Sequence, residues 1–146
     1  MPTIQQFALA IQKHEGWFLN SRSQKNNNPG NLKFAGQRKA TGKDNGGFAI
    51  FNSYEDGFAA LLNQINIGLS GKSKLYYPEM TLIEFFSRYA PSSDNNNPTG
   101  YAEAVAIDMG ITAGFQIKDL STETNQKEAQ TIELRIAGKV VYNQEL

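Results

Sequence analysis

Glu15 is the residue whose placement most clearly suggests chemistry. It follows an apolar pattern that begins at Ile4, and at about 100° per residue it falls only about 20° from Ile4 around a helix. A carboxyl group on a buried face is desolvated, so its pKa rises and it stays protonated near neutral pH. Glu15 is therefore a candidate general acid, of the kind that protonates a glycosidic oxygen. The alternative is a partly exposed glutamate at a frayed helix end, paired with a nearby cation.

Two asparagine-rich segments suggest polar recognition. The first asparagine loop, "NNNPGN" at residues 26–31, and the second, "DNNNP" at residues 94–98, carry amides that both donate and accept hydrogen bonds. Sugars and N-acetyl groups present the same mixture, so these loops suit a carbohydrate better than a phosphate. Ordinary turn formation is the alternative, because Asn-Pro-Gly-Asn makes a good turn without any ligand.

Aromatic residues cluster near the ends of the predicted elements, where their faces could stack on sugar rings. We assign Phe58, Phe85 and Phe86 to the core, whereas Tyr89 and Tyr101 lie on either side of the second asparagine loop. His14 is the only histidine and no "GxSxG" elbow accompanies it, so a structural role is expected.

Composition excludes several classes of function. The 146 residues are enough for one domain, and 14 basic residues balance 14 acidic ones, so no global field favours nucleic acid. The absence of cysteine excludes disulfides and thiolate chemistry, and a single histidine excludes a multi-histidine metal site. We expect no metal or organic cofactor. The sequence shows neither a secretory signal pattern nor an apolar run long enough to predict a membrane span.

The elements that would position these residues are mainly helical. Thr3 and Gln6 predict a capping box that opens the first helix. "NLKFA" (31–35) and "GGFAIF" (46–51) predict two short strands joined by an exposed loop, "GQRKATGKDNG". Three further helices are predicted. The first runs from Tyr54 to Leu69 with Ser53 as its cap, and the second begins at a capping box at Thr81 and ends just before Pro91. The third runs from Pro98 to Gly110.

The carboxy-terminal segment has a different pattern. "TIELRIAGKVVYN" (131–143) alternates apolar and polar residues and predicts a β-hairpin, although "NQKEAQTIELRI" could also begin helically. The predicted fold class is thus mainly α (α+β), with one domain over residues 1–120 and an appendage over residues 121–146.

In their order, the motifs resemble a known family. "HEGWFLNSRSQKNNNPGNLK", "GGFAIFNSYEDGFAALL" and "RYAPSSDNNNPTGYAEAV" resemble peptidoglycan glycosidases of the lysozyme-like superfamily, especially glucosaminidase domains of the flagellar and autolysin type and lysozyme-like proteins of bacteriophages. The resemblance covers residues 4–109. Glu15 and Gly16 match the family's catalytic glutamate and the small residue after it, and Tyr101 matches its active-site tyrosine.

The resemblance implies a lysozyme-like domain that cleaves the β-1,4 glycan strand of peptidoglycan. Glu15 would be the proton donor, and Tyr101 would stabilise positive charge or position an N-acetyl group. The residues expected to line the substrate groove are Asn28, Asn31, Phe48 and Tyr89.

Some members of the family carry a second carboxylate in the hairpin, and its one candidate here is Asp44. If Asp44 does not lie near Glu15, a single-acid mechanism is implied, as in lytic transglycosylases, or assistance by the substrate's N-acetyl group.

Two non-enzymatic alternatives stay open. One is a wall-binding or virion structural protein on the same fold, and the other is an inhibitor or adaptor that binds through the terminal hairpin. The glycosidase and the wall-binding protein would both have peptidoglycan glycan strands as partner and would both act at the bacterial cell wall. Such a protein would be associated with a virion or released from the cytoplasm. The hairpin could also mediate self-association.

Overall fold

Five α-helices and one two-stranded antiparallel sheet occupy the described part of the computed structural model, residues 2–90 and 96–122. The mixed helical and strand composition confirms the predicted α+β class at that level. In chain order the elements are α1 (Ile4–His14), α2 (Arg22–Lys25), β1 (Ala40–Lys43), β2 (Ala49–Phe51), α3 (Tyr54–Leu69), α4 (Leu82–Tyr89), α5 (Pro98–Met109) and a 3₁₀ helix (Ile117–Asp119).

The helix ends follow local sequence signals. Capping boxes open α1 at Thr3 and α4 at Thr81, and the Ser53 side chain accepts a hydrogen bond at the start of α3. Pro98 occupies the first turn of α5, and Gly110 ends that helix in the left-handed conformation with φ of 69°. The predicted starts of these four helices are confirmed. Helix α2 and the 3₁₀ helix were not predicted.

The hairpin differs from the prediction in its first strand. β1 lies at Ala40–Lys43, inside the segment expected to be a loop, and pairs with β2, whereas residues 31–35 contribute only an isolated bridge from Lys33 to Phe48. The reason is the turn: Asp44 Oδ1 accepts hydrogen bonds from the backbone N–H groups of Gly46 and Phe48, both at 2.9 Å. This aspartate turn places the reversal directly after residue 43, so the residues before it form the strand.

The core brings α1, α3, α4 and α5 together. Phe7 of α1 meets two α4 side chains, with its ring centroid 5.2 Å from that of Phe85 and 5.8 Å from that of Phe86. Phe58, Phe85 and Phe86 are buried, as predicted. Because α1 and α5 share this core, the end of α1 lies beside the first turns of α5.

A close backbone contact fixes the first asparagine loop against α3. A Cβ atom on Gly57 would lie 1.7 Å from the backbone oxygen of Asn27, so only glycine allows this approach. Leu32, Ala49 and Phe51 pack with Ala60 of α3 in a second, smaller cluster. The loop and the hairpin are therefore held on the same helix.

The described chain ends beside its beginning. Ser121 forms a parallel bridge with Thr3, and its backbone oxygen accepts from the N–H of Ile4 at 2.9 Å. The predicted hairpin at residues 131–143 and the first two residues of the second asparagine loop lie outside the described residues. In the described part of the chain, no helix has both the length and the apolar character needed to cross a membrane.

Candidate active site

Glu15 caps the carboxyl end of α1, where the helix stops abruptly. Its backbone N–H still bonds to the oxygen of Ile11 at 2.8 Å, and Gly16 follows with φ of +77°, a conformation that glycine adopts without strain. The Glu15 side chain is half-buried. The helix end thus holds a carboxyl group partly out of water, as the apolar periodicity of α1 predicted.

Two polar side chains contact the Glu15 carboxyl group. Tyr101 of α5 donates its hydroxyl hydrogen to Glu15 Oε2 at 2.7 Å, and the Asn31 side chain also hydrogen-bonds the carboxylate. Burial raises the pKa of Glu15, and these two hydrogen bonds together with the charge of His14 oppose the rise only in part. The net upward shift is the direction that a general acid requires.

Tyr101 packs against the helical core and contacts Glu15. Its ring stacks on that of Phe86 with centroids 4.2 Å apart, and burial raises the pKa of its hydroxyl, which therefore remains a hydrogen-bond donor. Tyr101 is absent from the described lining of the groove beside Glu15. Because Tyr101 contacts the Glu15 carboxyl group directly, we describe it as a positioning residue, and its expected role toward the substrate stays a prediction.

An ion-paired cluster next to Glu15 joins α1 to α5. Lys13 Nζ lies 3.1 Å from Asp108 Oδ1, and His14 Nε2 lies 2.6 Å from Asp108 Oδ2. Asp108 and Tyr101 are both on α5. The cluster therefore helps to hold α5 against α1, at the spacing that lets Tyr101 contact Glu15.

A groove of about 930 Å³ opens beside Glu15, and we call it the Glu15 groove. The residue types on its walls are mainly amides, aromatics and aliphatics, with two cations. Its described lining consists of Glu15, Asn31, Leu32, Lys33, Ala35, Gln37, Phe48, Gln64, Ile67, Ser73, Leu75, Tyr76, Arg88, Tyr89, Ala90 and Asn96.

The two predicted asparagines have different surroundings. Asn31 lines the Glu15 groove, and its Oδ1 is buried without a hydrogen-bond partner. Asn28 is 0 % exposed, and its Nδ2 donates to the backbone oxygens of Leu32 and Ala49, both at 2.9 Å. Its Oδ1 accepts from the N–H of Leu32 at 3.0 Å. The prediction that Asn28 lines the groove is wrong, because its amide is used entirely by the fold.

The Asp44 carboxylate also bonds to other groups of the protein. It accepts a hydrogen bond from Asn26 Nδ2 at 2.9 Å, which with the turn hydrogen bond from Phe48 N–H lowers its pKa. It also lies 3.4 Å from the Arg22 side chain. Asp44 is absent from the groove lining, which among the described residues contains one carboxylate, Glu15. The candidate second carboxylate is therefore not placed in the site.

Both predicted aromatic groove residues, Phe48 and Tyr89, line the groove. Tyr89 donates its hydroxyl hydrogen to the backbone oxygen of Gly30, which fixes its ring beside the first asparagine loop. Sequence reasoning missed Gln64, Tyr76 and Arg88. Arg88 directly precedes Tyr89 in the motif, and Tyr76 is one of the aromatic residues near the ends of the predicted elements, so both carried a signal.

Fold and site together define an α+β protein with a half-buried carboxyl group at an open groove. Comparisons with protein-family models, with curated proteins and with solved structures found no match to this chain. No group of three or more histidine, aspartate or glutamate side chains that could hold a metal ion occurs among residues 2–90 and 96–122.

Proposed function

We propose that this protein cleaves the β-1,4-linked glycan strand of peptidoglycan, with Glu15 as the general acid. The observation that carries the proposal is the Glu15 carboxyl group, half-buried at the groove with a raised pKa and held by Tyr101 and Asn31. Such a group is protonated closer to neutral pH than an ordinary glutamate and can give its proton to a leaving glycosidic oxygen. The resemblance of the sequence motifs to lysozyme-like peptidoglycan glycosidases supports the choice of substrate and a lysozyme-like fold.

The chemistry of the groove walls suits an amino-sugar polymer. Asn31 and Gln64 supply amides that can donate to and accept from hydroxyl and N-acetyl groups. The Gln37 amide already bonds backbone groups of Lys33 and Ala35. Phe48 and Tyr89 add aromatic surface. A groove that offers both polar and apolar contacts suits a sugar ring, because the ring has hydroxyl groups at its edges and apolar faces.

The proposed mechanism uses one carboxyl group. Glu15 protonates the leaving oxygen and becomes a carboxylate, which then accepts the proton of the attacking group, either water or the muramic 6-hydroxyl. The substrate's N-acetyl group can supply the internal nucleophile that a second carboxylate supplies in other glycosidases. The hydrogen bonds from Tyr101 and Asn31 stabilise the carboxylate that forms when the proton leaves.

The test is mass spectrometry of soluble products after purified peptidoglycan is incubated with wild type, Glu15→Gln and the control Glu103→Gln. Glu103 is an exposed glutamate on α5 outside the groove, so its replacement should leave product formation unchanged. Products that require Glu15 support the proposal. Their ends identify the bond: reducing muramic acid for a muramidase, reducing glucosamine for a glucosaminidase, and anhydro-muramic acid for a transglycosylase.

Stability measurements separate lost chemistry from lost folding. Burial penalises the charged form of Glu15, so Glu15→Gln should be at least as stable as wild type at neutral pH. A folded wild type that releases no products would refute cleavage.

Binding to the cell wall without cleavage is the second candidate function. It is favoured by the single carboxylate in the described lining of the groove. In that case both wild type and Glu15→Gln should sediment with intact sacculi, and neither should release soluble fragments.

A further inference from the structure

The described lining of the Glu15 groove contains two cationic residues, Lys33 and Arg88. We propose that they form a binding site for carboxylate groups carried on the glycan. The substrate class would then be an anionic amino-sugar strand rather than a neutral polymer of N-acetylglucosamine. The inference rests on the proposed function in one respect, namely that the groove holds a glycan.

Lys33 is exposed and oriented by an aromatic ring. Its ammonium group lies 4.4 Å from the centroid of Phe48, a cation–π contact between two side chains that both line the groove. Among the described residues, no carboxylate lies within 4.0 Å of it. Arg22 also lies over the Phe48 ring, at 4.6 Å, but it is paired with Asp44. Lys33 is thus the cation at this ring that remains available to a ligand.

Arg88 stands in the last turn of α4, directly before Tyr89. It is exposed, and no carboxylate of the described residues lies within 4.0 Å of its guanidinium group. Glu84, one turn earlier, accepts hydrogen bonds from the Tyr77 hydroxyl at 2.8 Å and from the Thr81 N–H at 2.9 Å. The charge of Arg88 is the smallest of the influences on the Glu84 pKa, so Arg88 is only weakly coupled to this carboxylate. Lys13 and Lys39 have acidic partners, but several other exposed cations of the described chain have none. What distinguishes Lys33 and Arg88 from those other cations is their place in the lining of the Glu15 groove.

The two cations give the groove a local charge that the whole chain lacks. The chain has 14 basic and 14 acidic residues, whereas the described groove lining has two cations and one acid whose ionisation is opposed by burial. A lysine binds a carboxylate as a point charge, and an arginine can bind one through two parallel hydrogen bonds. A neutral amino-sugar polymer offers these cations only uncharged acceptors, namely hydroxyl and amide oxygens. A strand that carries lactyl or peptide carboxylates offers charged acceptors, which form the stronger hydrogen bonds.

The test is calorimetric binding of three soluble ligands at low ionic strength, with the Glu15→Gln protein as background so that the ligand stays intact. The ligands are a neutral N-acetylglucosamine oligomer, peptidoglycan strands stripped of stem peptides, and strands that keep them. Stripped strands carry lactyl carboxylates, and intact strands carry peptide carboxylates. Lys33→Gln and Arg88→Gln are compared with matched controls outside the groove, Lys118→Gln and Arg38→Gln.

We expect each groove variant to bind anionic strands about two- to fivefold more weakly, the range of an exposed ion pair, and to bind the neutral oligomer unchanged. Added salt should reduce the difference, and the control variants should show none. A loss confined to stem-bearing strands identifies peptide carboxylates as the ligand, and a loss confined to stripped strands identifies the lactyl carboxylate. A loss with both anionic strands shows that the site accepts either carboxylate.

Binding of anionic strands that is insensitive to both groove substitutions overturns the inference, and cleavage that depends on Glu15 would then still support the proposed function. Charge-dependent binding with no cleavage by wild type would keep the inference and refute the glycosidase. Binding of none of the three ligands would overturn both.

Discussion

Replacement of Asn28 by alanine should unfold this protein more readily without removing any ligand contact. Asn28 is buried in the first asparagine loop, and its amide makes three hydrogen bonds to backbone groups of Leu32 and Ala49. The alanine side chain can form none of these hydrogen bonds, and water cannot replace them because Asn28 is fully buried. The backbone groups would therefore be left inside the protein with fewer partners than they need.

The expected loss can be worked out bond by bond. The Leu32 oxygen keeps a second hydrogen bond, from the N–H of Ala49 at 2.9 Å, so its loss is small. The Leu32 N–H loses the Asn28 acceptor, and an orphaned buried group costs about 1–3 kcal/mol. With about 1 kcal/mol for the remaining bond, to the Ala49 oxygen, the free energy of unfolding should fall by about 3 kcal/mol. For a chain of this size, that corresponds to a Tm lower by about 10 °C.

Urea unfolding followed by circular dichroism measures this loss, and the neighbouring Asn31 provides the matched control. Asn31 has φ of 48°, which glycine adopts without strain, so Asn31→Gly removes the side chain while keeping the backbone conformation. Its Oδ1 has no partner to lose. We expect Asn31→Gly to change the free energy of unfolding by less than about 1 kcal/mol and to reduce cleavage.

The reasoning would be refuted if Asn28→Ala were as stable as wild type and had lost glycan binding. That result would make Asn28 a ligand group, as the sequence pattern suggested. Equal destabilisation by Asn28→Ala and Asn31→Gly would also contradict the separate roles assigned to the two side chains.

Three further predictions concern pH and packing. The alkaline limb of the pH–activity profile should lie above the ordinary glutamate pKa of 4.5, because activity falls as Glu15 loses its proton. Tyr101→Phe should move this limb to higher pH, because it removes a hydrogen bond that lowers the Glu15 pKa. A limb that stays in place would contradict the hydrogen bond between Tyr101 and Glu15. Gly57→Ala should cost about 3 kcal/mol or more in urea unfolding, because its Cβ would overlap a backbone oxygen, whereas Gly114→Ala, whose Cβ has 3.9 Å of clearance, should not. Asp108→Asn should cost about 1 kcal/mol at pH 7. Burial raises the Asp108 pKa, but Lys13 and His14 lower it by more, so the net shift is downward. The stability lost in Asp108→Asn should therefore vanish as the pH falls through the Asp108 pKa, and an equal loss in acid would argue against the ion pairs.

Features that depend on neighbours in the chain could be predicted from the sequence. The starts of α1, α3 and α4 were predictable because a capping side chain bonds a backbone N–H three residues away. The start of α5 was predictable because proline fits the first turn of a helix. The position of Glu15 beside the core followed from the period of one helix. The first strand was misplaced even though its cause was local, because the hydrogen bonds of the Asp44 turn were not recognised.

Tertiary structure decided which of the candidate residues meet. Asn28 and Asn31 are the same residue type three positions apart, and their roles differ because the Ala49 oxygen, 21 residues away in the chain, lies against one of them. Glu15 and Tyr101 are separated by 86 residues, and their contact exists because α1 and α5 pack on a common core. By itself, the sequence determined the helix starts and a carboxyl group at the end of an apolar helix. The long-range packing, which no short pattern encodes, determined which groups hold that carboxyl group and which line the groove beside it.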